Sequence, residues 1–130
     1  MTVLARGWAT VELDRAAVEL AGTLVPGTAF EPAAECVHLG AFCRIGRLAE
    51  PTDDGATLVV LLEPSTEGRM AVTLARHGEG WCATWLDAEP DDADLRSALR
   101  DGPLGPERLL LHGSPSGPHR LVVEAATIAP

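Results

Sequence analysis

The chain of 130 residues contains no lysine, and its ten cationic side chains are arginines scattered along the sequence. Acidic residues outnumber them, so the net charge at pH 7 is −9. Because the phosphate backbone of DNA or RNA requires a concentrated positive surface, we expect no nucleic-acid binding. An acidic surface could attract a cationic ligand, but its usual effect is to keep a protein soluble.

Long apolar runs and paired cysteine motifs are also missing. No run approaches the roughly 20 apolar residues of a membrane-spanning helix, and residues 1–14 lack the apolar core and cleavage site of a signal peptide. The three cysteines, Cys36, Cys43 and Cys82, lack the CxxC spacing of a structural zinc site. They are typical of reduced thiols, so we expect a cytoplasmic protein without membrane contact.

The middle of the chain predicts a strand, a helix and a second strand. Five aliphatic residues in a row, Leu58–Leu62, indicate a strand that is buried on both faces. Residues 65–78 predict a helix, with Ser65 or Thr66 as its N-cap. Trp81–Leu86 predicts the strand that follows.

The two halves of the sequence resemble each other. A Gly-Trp pair starts a strand pattern at Gly7 and again at Gly80, and an apolar helical stripe follows each one. We therefore predict a duplicated β-α-β-β-β unit within one domain: a first module at about residues 1–63, a connecting helix at 65–78 and a second module at 80–130.

The predicted elements of the first module are strands at Val3–Leu13, Cys36–Leu39, Ala41–Leu48 and Ala56–Leu62, and a helix at Asp14–Leu24. Those of the second module, after Trp81–Leu86, are a helix at Asp92–Arg100 and strands at Arg108–His112 and Arg120–Ile128. A further strand would fall within Pro103–Glu107. Because that segment is rich in proline and glycine, we expect this strand to be short or lost.

This order of elements resembles the vicinal oxygen chelate superfamily, which includes glyoxalase I, methylmalonyl-CoA epimerase, ring-cleaving dioxygenases and bleomycin-resistance proteins. The local likeness to the epimerase branch is carried by Leu61-Leu62-Glu63-Pro64 at the end of the fourth strand, Gly78-Glu79-Gly80 before the fifth and Arg120–Glu124 near the end. The resemblance covers nearly the whole chain. It implies an α+β glyoxalase-like fold, in which two half-barrel modules enclose a pocket.

The resemblance also implies four metal ligands, one on each of four strands, and this sequence departs from three of them. The first strand contains no histidine, Val60 stands at the fourth-strand position, and Trp81–Thr84 contains no histidine on the fifth strand. Only Glu124 matches. Since one carboxylate cannot hold a catalytic ion, we predict no metal and no cofactor.

Two functions remain open for a pocket without a metal. The first is small-molecule binding of the bleomycin-resistance type, which would sequester an antibiotic or natural product. The candidate ligand-binding residues are Trp8, Trp81, Trp85, Phe42 and His38. Packing in the core is the alternative role of the tryptophans, and the absence of tyrosine counts against an aromatic site.

The second function is a cofactor-free isomerase, epimerase, cyclase or lyase acting on a natural product or an acyl thioester. The resemblance places Cys43, three residues after Gly40, opposite Glu124, which would be the general base. This pair requires a raised pKa at Glu124 and a lowered pKa at Cys43. We favour binding, because the loss of a metal from a pocket abolishes catalysis more readily than it abolishes ligand binding. The fold also leads us to expect a homodimer, with pairing of the half-barrels within or between chains left open.

Overall fold

The computed structural model describes residues 2–87, 100–109 and 119–123. In chain order the elements are β1 (Thr2–Ala9), α1 (Leu13–Leu20), β2 (Ala34–Cys36), β3 (Ala41–Arg47), β4 (Leu58–Pro64), α2 (Arg69–His77), β5 (Gly80–Asp87), β6 (Arg100–Gly102), β7 (Gly105–Leu109) and β8 (His119–Val123). Short 3-10 turns lie at Ala21–Thr23 and Val37–Leu39. Within these ranges, neither helix is long and apolar enough to cross a membrane.

The eight strands within the described residues form one sheet in the order β2-β3-β4-β1-β5-β8-β7-β6. In each half the first strand pairs in parallel with the last, β1 with β4 and β5 with β8. The first strands of the two halves, β1 and β5, pair antiparallel at the centre of the sheet. The two halves therefore repeat one strand order about the centre of the sheet, as predicted for the glyoxalase-like fold.

The Gly-Trp sequence match does not reflect equivalent positions in the two halves. Gly7 and Trp8 lie near the end of β1, whereas Gly80 and Trp81 begin β5. Because β1 and β5 run in opposite directions, Trp8 becomes the direct neighbour of Trp81 across the sheet. The strand order does repeat in the two halves. The Gly-Trp match that suggested the repeat, however, joins the end of one strand with the beginning of another.

Several predicted boundaries were wrong. The expected strand at Cys36–Leu39 ends at Cys36, and Val37–Leu39 forms a 3-10 turn that Gly40 ends at φ +65°. The helix α2 begins only at Arg69 and has no side-chain cap, because Gly68 occupies the N-cap position.

The strand expected to be short or lost in the second half is present. Residues 100–109 form a hairpin of two strands, β6 and β7, with Pro103 and Leu104 in its turn. Pro103 is tolerated because it lies in the turn, where no ladder hydrogen bond is required of it, whereas Pro106 lies within β7 opposite Asp101. Arg100, expected to end a helix, begins β6 instead, and the rest of that predicted helix lies outside the described residues.

Alternating residues of β4 divide the core into two layers. Val59 and Leu61 pack with Leu13, Ala16 and Ala17 on the side of the sheet covered by α1, which we call the α1 face. Val60 and Leu62 pack on the opposite side, which we call the inner face. The prediction of a strand buried on both faces is therefore confirmed.

The two ends of the sheet lie close together. The Sγ atom of Cys36, on β2, is 3.6 Å from the carbonyl oxygen of Asp101, on β6. Because β2 and β6 are the outermost strands in the sheet order, this contact shows that the sheet curls around its inner face. The outermost strand of the first half, β2, therefore lies next to the outermost strand of the second half, β6, and the candidate site lies beside this contact.

Candidate functional site

Five polar or sulfur-bearing side chains meet where the two ends of the sheet approach each other. We call them the inner-face cluster: Cys36, His38, Cys43, Trp85 and Glu107. They come from β2, the turn after it, β3, β5 and β7. The curl of the sheet therefore assembles a site from both halves of the chain.

Glu107 is the fully buried centre of the inner-face cluster. Its Oε1 accepts a hydrogen bond of 3.0 Å from Nε1 of Trp85, and its Oε2 lies 3.0 Å from Nε2 of His38. The contact between Glu107 and His38 is an ion pair whose geometry is not that of a hydrogen bond. Neither of its two atoms has a hydrogen-bond partner among the described residues. Since an unpaired buried carboxylate would cost several kcal/mol, we expect His38 to carry the balancing charge.

The hairpin of β6 and β7 makes room for this carboxylate. A Cβ atom at Gly102 would lie 1.5 Å from Oε1 of Glu107. Any side chain at this position would therefore displace the carboxylate. Gly102, next to the segment whose glycines argued against a strand, is therefore required for the site.

His38 is held in its charged form by its neighbours. The contact with Cys36, followed by that with Glu107, raises the pKa of His38 from 6.5 to about 9, against the opposing effect of burial. His38 is therefore an imidazolium at neutral pH.

The two cysteines on β2 and β3 differ in charge. The hydrogen bond from the Cys43 thiol, supported by His38, lowers the pKa of Cys36 to about 5. The same hydrogen bond, together with burial, raises the pKa of Cys43. These opposite shifts favour the thiolate form at Cys36 and the thiol form at Cys43. When Cys36 takes up a proton, its thiol can donate to the carbonyl oxygen of Asp101.

Both sulfur atoms border a cavity of about 310 Å³. Its wall is formed by Cys36, Cys43 and Ile45 on one side and by Asp101 and Gly102 on the other. A space of this size accepts a small acyl group or the end of a longer ligand. A charged thiolate on the wall of a cavity, backed by an imidazolium and a carboxylate, can act as a base or as a nucleophile.

The predicted aromatic residues do not meet in this cavity. Trp8 and Trp81 contact each other at 5.0 Å between ring centroids, and Trp8 packs on the α1 face. Trp81 borders a different cavity, of about 450 Å³, together with Leu20 and Val59. The structure thus corrects the expectation that the two tryptophans border the pocket of the inner face.

The remaining predicted residues are placed as follows. Phe42 precedes Cys43 on β3 and is paired with Glu63, whose carboxylate accepts a hydrogen bond from α1, so it lies on the α1 face. Trp85 is fully buried and serves as the donor to Glu107. Glu124 lies outside the described residues, and its predicted role as general base stays a prediction.

Sequence reasoning missed Glu107 and Cys36. Glu107 lies in the segment whose strand was expected to be short or lost. The available signal was the pair of glycines, Gly102 and Gly105, which mark a tight hairpin. For Cys36, the available signal was His38, two residues later. That spacing indicates a site only because His38 also contacts Glu107.

The residues present do not fit the divalent ion of the resembled superfamily. On the inner face, β1 and β4 contribute Ala5, Ala9, Val60 and Leu62, which have no ligand atoms. Among residues 2–87, 100–109 and 119–123, no three His, Cys, Asp or Glu side chains are grouped so that they could hold a metal. We therefore derive no chemistry from a metal at this site.

Comparison with solved structures identifies the fold. A variant of Streptomyces coelicolor methylmalonyl-CoA epimerase in complex with 2-nitronate-propionyl-CoA matches with a TM-score of 0.72 and 22% identity, over 100% of this chain and 99% of that one. A methylmalonyl-CoA epimerase in complex with methylmalonyl-CoA and NH4+ matches with 0.71 and 22%, over 99% and 98%.

The methylmalonyl-CoA epimerase of Mycobacterium tuberculosis matches with a TM-score of 0.73 and 17% identity, over 99% of this chain and 89% of that one. No protein-family model and no curated protein sequence matches the chain. The glyoxalase-like fold predicted from the sequence is confirmed by these matches.

Proposed function

We propose that this chain is a metal-independent isomerase or epimerase, which transfers a proton at the carbon next to the carbonyl group of an acyl thioester. The observation that carries the proposal is the inner-face cluster. It combines a thiolate and a thiol on the wall of one cavity with a buried ion pair behind them. Removal of a proton from carbon requires a base and a source of positive charge beside it, and the cluster supplies both.

The thiolate of Cys36 is the proposed base. It takes the proton from the carbon, which leaves an enolate whose charge is spread onto the carbonyl oxygen. The imidazolium of His38 lies beside Cys36 and supplies positive charge where the enolate forms. Because Cys43 lies beside Cys36, a proton returned by Cys43 restores the original stereoisomer. The opposite stereoisomer forms when a water molecule protonates the planar enolate on its other face, and the hydroxide that remains takes the proton held by Cys36, so the starting state is restored.

The choice of an acyl thioester comes from the neighbouring structures. Two of them are complexes of methylmalonyl-CoA epimerases with acyl-CoA compounds, and they match nearly the whole of this chain. The thioester carbonyl acidifies the hydrogen atom on the adjacent carbon, which is the hydrogen that the proposed base would remove. Thioesters with a branched second carbon are therefore the first substrates to test.

The placement of the aromatic side chains makes sequestration of an antibiotic or natural product the weaker proposal. A binding site for a planar compound needs several aromatic faces around one space. In this structure Trp85 is fully buried, and Trp8 and Trp81 lie together away from the inner-face cavity. We therefore place turnover before binding alone.

The test is interconversion of the stereoisomers of a thioester. One stereoisomer of methylmalonyl-CoA, and of other 2-methylacyl-CoA thioesters, is incubated with the wild type and with Cys36→Ser. We expect interconversion by the wild type and a loss of about 100-fold or more in the variant. Cys82→Ser is the matched control, because Cys82 is buried outside the cavity and burial raises its pKa to about 12.

A third variant, Glu124→Gln, separates the proposed base from the predicted one. If this change abolishes turnover while Cys36→Ser does not, Glu124 is the base and the role of Cys36 is wrong. If the wild type binds the thioesters but converts none of them, the isomerase proposal is wrong and a binding function takes its place.

A further inference from the structure

We propose that Cys36 and Cys43 form a modification site, at which a hydroperoxide oxidises the two thiol groups to an intramolecular disulfide. The pairing of β2 and β3 carries this proposal. Cys36 lies opposite Ala41, and Cys43 lies opposite Ala34, so the two cysteines are diagonal neighbours on one side of an antiparallel pair. Both sulfur atoms border the inner-face cavity, where Cys36 lies 3.6 Å from the carbonyl oxygen of Asp101 and Cys43 lies 3.9 Å from that of Ala41.

The cavity gives a small oxidant access to Cys36. The residue is only 4% exposed to bulk solvent, but its side chain forms part of a space of about 310 Å³. Hydrogen peroxide is small enough to enter such a space. The groups that face Cys36 are Cys43, His38 and, through His38, Glu107, and together they keep its sulfur in the reactive thiolate form.

The oxidation proceeds in two balanced steps. The Cys36 thiolate attacks one oxygen of the peroxide, the O–O bond breaks, and the leaving oxygen takes a proton from the His38 imidazolium. Cys36 is then a sulfenic acid. The sulfur of Cys43 attacks the sulfur of Cys36, the S–O bond breaks, and the hydroxide leaves as water with the proton of Cys43. The peroxide is reduced to water, or to an alcohol, and the two sulfur atoms are oxidised to a disulfide.

The disulfide requires a movement of β2. Diagonal neighbours in an antiparallel pair have Cα atoms about 7–8 Å apart, whereas a disulfide joins Cα atoms that are at most about 7 Å apart. The strand β2 can shift because it has three residues and lies at the end of the sheet order. Strain of this kind makes a disulfide easy to reduce, so we expect the modification to be reversible.

Oxidation would also switch off proton transfer. The disulfide removes the thiolate, and the shift of β2 draws the adjacent turn, with His38, away from Glu107. This consequence rests on the proposed function. The modification itself does not, because it can be measured without any substrate.

The experiment treats the full chain with hydrogen peroxide and follows the intact mass and the cysteine-containing peptides. We expect the wild type to lose two hydrogen atoms, to yield one cross-linked peptide pair containing Cys36 and Cys43, and to recover its mass with dithiothreitol. Cys43→Ala should stop at a sulfenic acid on Cys36, which dimedone traps. Cys82→Ser should react like the wild type, since Cys82 does not border the cavity.

Cys36→Ser should lose thiols at least about ten times more slowly than the wild type, because burial disfavours the thiolate at both remaining cysteines, Cys43 and Cys82. Equal rates in this variant, faster oxidation of Cys82, or a sulfinic acid without a disulfide would each overturn the proposal. Circular dichroism of every variant separates a lost reaction from a lost fold. If the wild type forms the disulfide but has no isomerase activity, the modification site stands and the proposed function fails.

Discussion

The substitution Glu107→Gln tests the buried ion pair in both charge and stability. The pKa of His38 rises from 6.5 to about 9 in the folded protein. At about 1.4 kcal/mol per pH unit, this rise corresponds to at most roughly 3 kcal/mol of stability. Cys36 contributes more of the rise than Glu107, and 17% of the His38 side chain is open to solvent, which screens the charges. We therefore assign about 1 kcal/mol to the contact between His38 and Glu107.

The sign of the pH dependence follows from the direction of the pKa. The folded state binds the His38 proton more tightly than the unfolded state, so the stabilisation is fully present below pH 6.5 and is lost as the pH rises through about 9. Glutamine can still accept the hydrogen bond from Trp85, but it offers no charge to His38. We expect the variant to be destabilised by about 1 kcal/mol at pH 6, and this penalty to vanish by about pH 10, where the wild type holds an unpaired carboxylate.

Urea denaturation at both pH values and NMR titration of His38 provide the measurement. The His38 pKa should fall by about one pH unit in the variant. Glu19→Gln, an exposed change on α1, is the control and should leave both quantities unchanged. A penalty of the same size at both pH values, or an unchanged His38 pKa, would refute the ion pair.

Three further predictions concern the same cluster. Gly102→Ala should destabilise the protein by about 2 kcal/mol, because its Cβ would occupy the position of the Glu107 carboxylate. Gly22→Ala is the control, since a Cβ there would have no atom within 4 Å, and equal stability of the two variants in urea or thermal denaturation would contradict the prediction. Trp85→Phe should cost about 1–3 kcal/mol beyond lost packing, since it leaves a buried carboxylate oxygen without its donor, and a smaller loss in denaturation would show that the hydrogen bond contributes little. The ultraviolet absorbance of thiolate should appear with a midpoint near pH 5 and be absent in Cys36→Ser; a midpoint near 8.5 would place Cys36 among ordinary thiols.

Local patterns in the sequence were sufficient to predict much of the fold. The aliphatic run Leu58–Leu62 predicted a strand with two buried faces, and β4 packs against both layers of the core. The order of strands and helices was enough to identify the fold. Both predictions depend on interactions between residues that are close in the chain or on the repetition of one unit.

The site could be predicted only in part, because it depends on contacts between distant residues. Glu107 acquires its role from Trp85, 22 residues away, and from His38 in the other half of the chain. No spacing in the sequence encodes such contacts. Likewise, the antiparallel pairing of β1 with β5 brings Trp8 and Trp81 together on one side of the sheet. The sequence match alone suggested instead that the two tryptophans occupy equivalent positions around one pocket.

Exchange of hydrogen for deuterium tests proton transfer by Cys36 most directly. An acyl-CoA thioester with a hydrogen on its second carbon is incubated with the protein in D2O, and the signal of that hydrogen is followed by proton NMR. We expect the wild type and Cys82→Ser to remove the signal, and Cys36→Ser to remove it no faster than buffer alone. A signal that persists with the wild type for every thioester tested, or that disappears equally fast with Cys36→Ser, would show that Cys36 is not the base.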